Sequence, residues 1–304
     1  MIRIAAFAVA ALFLVLALPG EAYAWGPATH VFLGQHLLDN LHLLPAAMAE
    51  ILRRNPRSFL YGSIAADISL AKKYVPAGRH CHYWHVGEEI HTRAQDEQLQ
   101  AVGLGYLAHL AADTVAHNFF VPRQFVITSS TKALGHAYWE HRLDVQLGER
   151  YTSLAREVIM NFDHSAADAL FDEVLSRTIF SFNTNLRIFR GMIHVQDNDR
   201  WHAVFERLIE KSRWNLPDDT IEQYMVTSFD YVVDYLTRRR GSNPAALDPV
   251  GEFNLHVSKQ IRKMALKEGA KDPRRLLETA DDFFPIPTEL VGYWDRRSSA
   301  SQSA

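Results

Sequence analysis

The segment YLAHLAADTVAHNFF holds the residues best suited to chemistry, because three polar side chains recur at every fourth position in an otherwise apolar stretch. On a helix His109, Asp113 and His117 each lie about 40° further round than the one before, so they share one face. The rest of that face is Leu, Ala, Val and Phe. Burying three polar groups in such surroundings is costly unless each finds a partner. A bound metal ion would satisfy all three at once, and the triple therefore predicts a metal site.

A second pair, His136 and Glu140 in GHAYWEH, repeats the four-residue spacing on the next predicted helix. Two such sets on neighbouring helices are how helical bundles build metal sites from facing side chains. Taken alone, a histidine and a carboxylate one turn apart also fit a hydrogen-bonded surface pair. The burial cost makes that interpretation harder to apply to the triple around Asp113.

Further candidate ligands lie on the N-terminal side of these helices. Asp67 follows small residues at the end of a short apolar run, YGSIAADIS. Four histidines stand close together in RHCHYWHVGEEIH, namely His80, His82, His85 and His91. One site rarely takes four ligands from one loop, so most of them are predicted to support a ligand or to face solvent.

The N-terminus is typical of a secretory signal peptide. Arg3 precedes an apolar run that is short for a membrane span, and Pro19-Gly20 comes just before the small-residue triplet Ala22-Tyr23-Ala24. We therefore predict cleavage after Ala24 and export to the periplasm or the exterior, with a retained signal anchor as the alternative. Trp25 would then begin the mature protein and carry a free α-amino group.

The composition favours a globular protein that binds metal through nitrogen and oxygen. Hydrophobic residues make up 48% of the chain and the net charge is only −3, so a sizeable core is expected and the charge footprint of a nucleic-acid binder is absent. The single cysteine, Cys81, cannot form an internal disulfide in an exported chain. Fifteen histidines against one cysteine indicate imidazole and carboxylate ligands instead of thiolates.

Apolar residues recur with the helical period along nearly the whole chain, and sustained β-type alternation is scarce. We therefore predict an all-α fold with a single domain of many helices. Pro56 is expected to end the second helix, Pro122 to stop the long helix through His109, and Asp272-Pro273 to open the last helix.

No linker rich in Gly, Ser or Pro divides the chain, and the turn near Asp163-His164 is the weakest candidate for a boundary. The segment 134–162 fits either one helix or two. The predicted organisation is a signal peptide at 1–24, a helical domain at 25–295 with its metal-binding part at about 25–150 and additional helices at 151–295, and a disordered tail at 296–304.

In their order along the chain, these residues resemble the motifs of the zinc-dependent phospholipase C and single-strand nuclease superfamily. The resemblance covers residues 25 to about 145. It rests on Trp25 with His30, Asp67, His82 before Tyr83-Trp84, His109-x-x-x-Asp113, His117, and His136-x-x-x-Glu140.

The resemblance implies three zinc ions in a cleft of an all-α fold, one of them chelated by the amino nitrogen and carbonyl oxygen of the mature N-terminal Trp25. His30 would complete that site, and Asp113 would bridge it to a second ion. The second ion would take Asp67, His82 and His109, and the third would take His117, His136 and Glu140. The choice of His82 over His85 rests on the aromatic pair that follows it. The gap between Asp113 and His117 is shorter than in well-known phospholipases of the family.

The function implied is that of an exported zinc hydrolase that cleaves phosphodiester bonds at phospholipid head groups with a metal-activated water. Asp67 is the candidate to orient or deprotonate that water. The expected substrate is a phospholipid or another phosphodiester, with transient membrane contact, no stable nucleic-acid complex and a monomeric state. The alternatives are a nuclease acting on single strands, a non-catalytic protein stabilised by zinc, and a helical scaffold without metal.

Overall fold

The computed structural model describes residues 25–128, 133–196, 216–267 and 272–298, together with Ser212 and Trp214. These residues form helices and connecting segments with no β-strand among them, which confirms the predicted all-α fold. The helices are α1 Pro27–Leu38, α2 Ala46–Arg54, α3 Pro56–Ala65, α4 Trp84–Arg93, α5 Glu97–Val115, α6 Val121–Ile127, α7 Ala133–Leu147, α8 Glu149–Met160, α9 Ser165–Val174, α10 Phe182–Gln196, α11 Asp218–Arg238, α12 Glu252–Lys267 and α13 Pro273–Phe283.

Helix α5 lies at the centre of the molecule and packs against α3, α4 and α11. Every residue from Ala101 to Val115 is buried, as expected for a helix that is apolar on all sides. The helix begins at Asp96, whose carboxylate accepts a hydrogen bond from the backbone N–H of Leu99 at 2.8 Å. Because α5 carries His109 and Asp113, the predicted metal ligands stand in the middle of the core.

Glycines let α3 and α5 approach each other until their backbones touch. A Cβ at Gly62 would lie 2.1 Å from the carbonyl oxygen of Val102, and a Cβ at Gly105 would lie 2.1 Å from that of Phe59. No other residue fits at either position without moving a backbone. The short turn Ala66–Ile68 continues directly from α3, so this contact brings Asp67 towards α5.

The long helix does not stop at Pro122, contrary to the prediction. A π-helical turn, Ala116–Phe120, follows α5 and leads directly into α6, where Pro122 occupies the first turn. The π-helical turn ends with the N–H of Val121 hydrogen-bonded to the carbonyl oxygen of Ala116, and Pro122 follows in the first turn of α6, a position where proline is tolerated. The wider turn carries His117, and such π-bulges occur frequently at functional sites.

The other helix boundaries follow local sequence signals. Pro56 ends α2 as predicted and begins α3 at once. The segment 134–162 forms two helices, α7 and α8, which Gly148 separates with a φ of 94°. Asp272 accepts a hydrogen bond from the N–H of Arg274 and caps α13, also as predicted.

One hydrophobic core includes residues from Trp25 to Tyr293, so the described helices form a single domain without a division near Asp163. No helix in the described ranges is long and apolar enough to cross a bilayer. The predicted signal peptide at 1–24 lies outside the described residues. Of the predicted tail, 299–304 also lie outside them, while the N–H of Ser298 donates to Asn40 Oδ1 at 2.8 Å.

Candidate metal centre

Five predicted ligands from four separate elements meet inside the molecule. Helix α5 supplies His109 and Asp113, and α1 supplies His30. Asp67 lies on the turn after α3, and His82 lies two residues before α4. All five side chains are buried.

Four donor atoms of this group surround one point. His82 Nε2 lies 3.0 Å from His109 Nε2, 3.0 Å from Asp113 Oδ2 and 3.5 Å from Asp67 Oδ1. His109 Nε2 is 3.1 Å from the same Asp113 oxygen. Ligands bound tetrahedrally to one zinc ion at its usual bond lengths lie about 3.3 Å apart. The separations among the His82, His109 and Asp113 atoms, and that between His82 and Asp67, are close to this value and suit ligands of one zinc ion.

The second oxygen of Asp113 faces another donor. Asp113 Oδ1 lies 3.3 Å from His30 Nε2, and the His30 ring stacks on the His109 ring with a centroid distance of 3.9 Å. Ligand atoms of His30, His109 and Asp113 form one close group, and those of Asp67, His82 and His109 form another. His109 belongs to both groups. Asp113 directs one oxygen towards His30 and the other towards His82 and His109, as a carboxylate that bridges two metal ions would.

Backbone carbonyls fix the orientation of two imidazoles. His109 Nδ1 donates to the carbonyl oxygen of Ser63 at 2.9 Å, and His117 Nδ1 donates to that of Pro249 at 2.5 Å. In each ring this leaves the lone pair on Nε2. Metal-binding histidines are commonly held in this way by a hydrogen bond from their second nitrogen.

The cluster contains buried polar atoms that no described residue satisfies. His30 Nε2, Asp67 Oδ2 and both carboxylate oxygens of Asp113 make no regular hydrogen bond, although the Asp113 oxygens face imidazole nitrogens at 3.0–3.3 Å. Leaving buried carboxylate oxygens without regular hydrogen bonds is strongly unfavourable. Divalent metal ions would satisfy them, and the donor set of imidazoles and carboxylates suits Zn²⁺.

The surroundings hold His30, His117 and Asp113 in the protonation states that metal binding requires. Burial lowers the pKa of His30 and lowers that of His117 to about 4, so both rings are neutral near pH 7. Burial acts to raise the pKa of Asp113, but His109, His30 and His82 outweigh it and hold that pKa well below its ordinary value.

His82 differs from these groups in its protonation. Burial acts to lower its pKa, but Cys81 and the carboxylates of Asp113 and Asp67 outweigh burial and raise that pKa well above its ordinary value. A metal ion would therefore have to displace the proton of this ring.

Lys72 is a functional candidate that the sequence analysis missed. Its ammonium nitrogen is buried 3.0 Å from Asp67 Oδ1 and 3.5 Å from both ring nitrogens of His82. Burial opposes ionisation of Asp67, but Lys72, together with His109 and His82, outweighs it and lowers the pKa of that carboxyl. Ala71 has a left-handed backbone with a φ of 58°, and this strained residue precedes the turn that carries Lys72 inward. A lysine in AKKY gives no local sign of burial.

Asp144 was also missed, although it lies four residues after Glu140 and continues the helical spacing of His136 and Glu140. Its carboxylate accepts hydrogen bonds from the N–H and hydroxyl of Thr29 and from the N–H of Ala28, at the start of α1. Burial raises the pKa of Asp144 to about 6.

The pair Trp25-Gly26 is explained by these contacts. A Cβ at position 26 would lie 2.0 Å from Asp144 Oδ2, so a larger residue would displace this carboxylate from its hydrogen bonds at the start of α1. The buried indole of Trp25 donates from Nε1 to the carbonyl oxygen of Ala112 at 3.1 Å, beside Asp113 on α5. The predicted N-terminal residue is therefore anchored on the helix that carries two of the candidate ligands.

The four histidines near α4 take different positions. His82 joins the cluster, whereas His85 is exposed and pairs with the carbonyl oxygen of Gly78 at 2.8 Å. His80 accepts a hydrogen bond from the His82 N–H, and His91 lies beside Arg239. His85 and His91 thus stand apart from the cluster, and His80 supports His82.

The third predicted zinc position involves residues whose side chains lie outside the described part of the structure. His136 and Glu140 occupy α7, but the structure describes only their helical backbone. His117 is buried with its ring centroid 6.2 Å from that of His82. The ligand set His117, His136 and Glu140 therefore stays a prediction.

The family model of zinc-dependent phospholipase C matches residues 29–185, slightly more than half of the chain. The matched range contains every predicted ligand except Trp25. Neither a curated protein nor a solved structure matches the chain.

Proposed function

The chain belongs to the zinc-dependent phospholipase C family and is a zinc-dependent hydrolase, and we propose that it cleaves the head-group phosphodiester of a phospholipid. The observation that carries the proposal is the buried cluster around Asp113, whose carboxylate oxygens make no regular hydrogen bond among the described residues. Such a cluster suits a metal centre better than a core, and the family match makes the metal zinc.

We propose three zinc ions and assign the ligands by position. Asp67, His82, His109 and Asp113 would hold one ion, and Asp113 would share a second with His30 and the mature N-terminus of Trp25. The third ion would take His117, His136 and Glu140. Bound zinc would supply an activated water at neutral pH and neutralise charge on the phosphoryl oxygens.

Asp67 is the proposed catalytic residue. Its Oδ2 is buried without a hydrogen-bond partner, while its Oδ1 lies beside Lys72 and His82. The Lys72 charge lowers the pKa of this carboxyl. A carboxylate with a low pKa is a weak base, so Asp67 is better suited to orient the attacking water than to take a proton from it.

We also propose that the protein is exported and that its signal peptide is removed. Cleavage after Ala24 would free the α-amino group of Trp25, whose indole is already fixed on α5. The metal centre could then be completed only after the signal peptide has been removed, outside the cytoplasm.

The test is hydrolysis by the purified mature chain, with zinc measured by elemental analysis. We expect release of a phosphorylated head group from phosphatidylcholine, lost on chelation and restored by zinc. Asp67→Asn should lower turnover roughly 100-fold or more, whereas Asp163→Asn, at an exposed position, should not.

Two outcomes would replace this function. Cleavage of single-stranded DNA without hydrolysis of phospholipid would make the protein a nuclease. Full zinc content without turnover of either substrate would make the zinc structural.

A further inference from the structure

The exposed apolar side chains are concentrated near the C-terminus. Eight large hydrophobic residues are exposed among the described residues, and five of them lie on α12 and α13. These five are Phe253, Met264, Leu266, Leu277 and Phe283. Both helices lie beyond residue 185, where the family match ends.

Two of these residues form a line along α12. Phe253 is 76% exposed and Met264 is 60% exposed. They are eleven residues apart, which is about three helical turns, so they lie on the same side of the helix. The exposed His256 and Gln260 lie between them, so Phe253 and Met264 are two separate apolar contact points on this side and not one continuous patch.

The start of α12 lies against the candidate metal centre. A Cβ at Gly251 would lie 2.4 Å from the carbonyl oxygen of His117, and Pro249 accepts the hydrogen bond from the His117 ring. Asn254 donates to Asn118 Oδ1 at 3.0 Å, next to His117 in the chain. Phe253 is therefore held beside the elements that carry a predicted ligand.

Two exposed lysines of α12 lie on this side, and the exposed Glu252 lies at its edge, about 100° round the helix from Phe253. Lys267 and Lys263 are exposed and lie about 40° and about 80° round the helix from Phe253. Lysines beside exposed apolar side chains on one side of a helix are typical of helices that lie in the interface of an anionic membrane. Helix α13 carries three acidic residues against two arginines, so it suits such a surface less well.

We propose that the α12 face, defined as Phe253, Met264, Lys263 and Lys267, docks the protein on an anionic lipid surface. A symmetric contact between two copies would place the same lysines of both copies in one interface, which disfavours a second copy as the occupant. The purpose of this docking rests on the proposed phospholipid hydrolysis, because the docking would bring the metal centre to its phospholipid substrate.

The test is co-sedimentation of the zinc-loaded mature chain with vesicles of phosphatidylcholine alone or mixed with phosphatidylglycerol. We expect stronger binding to the mixed vesicles. The double variant Phe253→Ser/Met264→Ser should bind at least tenfold more weakly, with an unchanged unfolding midpoint. Lys263→Gln/Lys267→Gln should remove the preference for the mixed vesicles.

A matched control substitutes two exposed apolar residues elsewhere, Met160→Ser/Ile179→Ser, and should bind as the wild type does. Hydrolysis of a short-chain phospholipid dissolved as monomers should be unchanged in both double serine variants. If monomers are not hydrolysed while vesicle binding still depends on Phe253 and Met264, the docking surface stands and the proposed function fails.

Three results would overturn the docking proposal. They are no binding of the wild type to either vesicle, wild-type binding by Phe253→Ser/Met264→Ser, and a dimer of the wild type that this variant dissociates.

Discussion

Lys72 places a positive charge inside a cluster that has to hold divalent cations. It pairs with Asp67, and both side chains are buried. Removing one partner of a buried ion pair leaves the other charge uncompensated, at a cost of about 3–5 kcal/mol. A zinc ion beside Asp67 would compensate the carboxylate in its place.

We predict that Lys72→Met destabilises the zinc-free protein by about 3 kcal/mol and the zinc-loaded protein by clearly less. Urea unfolding with and without zinc measures both differences. Lys263→Met, at an exposed position, is the control and should change neither. An equal loss of stability in the two forms would contradict a charge-compensating role for Lys72.

The lowered pKa of the buried His36 makes the stability of the folded protein depend on pH. Burial, with the nearby charge of Arg297, lowers the pKa of this histidine to about 4. As pH falls below the ordinary value of about 6.5, the unfolded chain takes up the proton first, so the stability contribution of the neutral ring is lost towards pH 4. This pKa shift corresponds to a loss of up to about 3 kcal/mol in the free energy of unfolding.

We expect His36→Gln to remove this acid-dependent loss. The difference in unfolding free energy between the wild type and the variant should shrink steadily between about pH 7 and about pH 4.5, measured by urea unfolding of zinc-free protein. His42→Gln, at an exposed histidine, should leave the profile of the wild type unchanged. A constant difference for His36→Gln would show that burial does not lower this pKa.

The ligand candidates could be predicted where spacing alone shows them. His109 and Asp113 share a helical face because of their four-residue spacing, and the structure brings them together. Lys72 could not be predicted, because its inward direction depends on the left-handed backbone of Ala71 and on a carboxylate from another element. Asp144 could have been predicted, because it continues the four-residue spacing of His136 and Glu140 on α7.

At the scale of elements, the helical period predicted most helices but not how closely they pack. The contact between α3 and α5 depends on Gly62 and Gly105, whose role appears only when the two backbones are placed side by side. The continuation through Pro122 was missed for a similar reason. A π-helical turn is set by what packs around it, here the Pro249 and Gly251 segment against His117, and has no sequence period of its own.

Because α3 and α5 are in close contact, we predict that adding one methyl group at Gly62 changes both stability and zinc binding. Gly62→Ala should destabilise the protein by about 1–3 kcal/mol, because the new Cβ meets the Val102 carbonyl. It should also weaken zinc binding, since α3 leads directly to Asp67. Chelator competition and urea unfolding measure the two effects.

Gly191→Ala is the matched control for this substitution. Gly191 lies within α10 and a Cβ there meets nothing within 4 Å. This change should stabilise the protein by roughly 0.5–1 kcal/mol and leave zinc binding unchanged. If Gly62→Ala behaved in the same way, the contact between α3 and α5 would not position Asp67.

For the whole molecule, the position of Trp25 would link the proposed export to the metal centre. The indole is buried against Phe120 and Tyr224, with ring centroids 4.9 Å and 6.3 Å away, so the residue proposed to begin the mature chain is part of the core. A chain that keeps Ala24 would present an amide nitrogen where the mature chain presents an amine. An amide nitrogen has no free lone pair for zinc, while the indole contacts can remain.

We therefore predict that retaining Ala24 lowers the zinc content by one equivalent and abolishes phospholipid hydrolysis, with little change in the helical circular dichroism. Native mass spectrometry of chains beginning at Ala24 and at Trp25 counts the bound ions. Trp25→Phe keeps the terminal amine but loses the hydrogen bond to Ala112, so it should lose stability and keep its zinc. Equal zinc in the Ala24 and Trp25 chains would exclude the amine as a ligand, and the centre would then assemble without cleavage of the signal peptide.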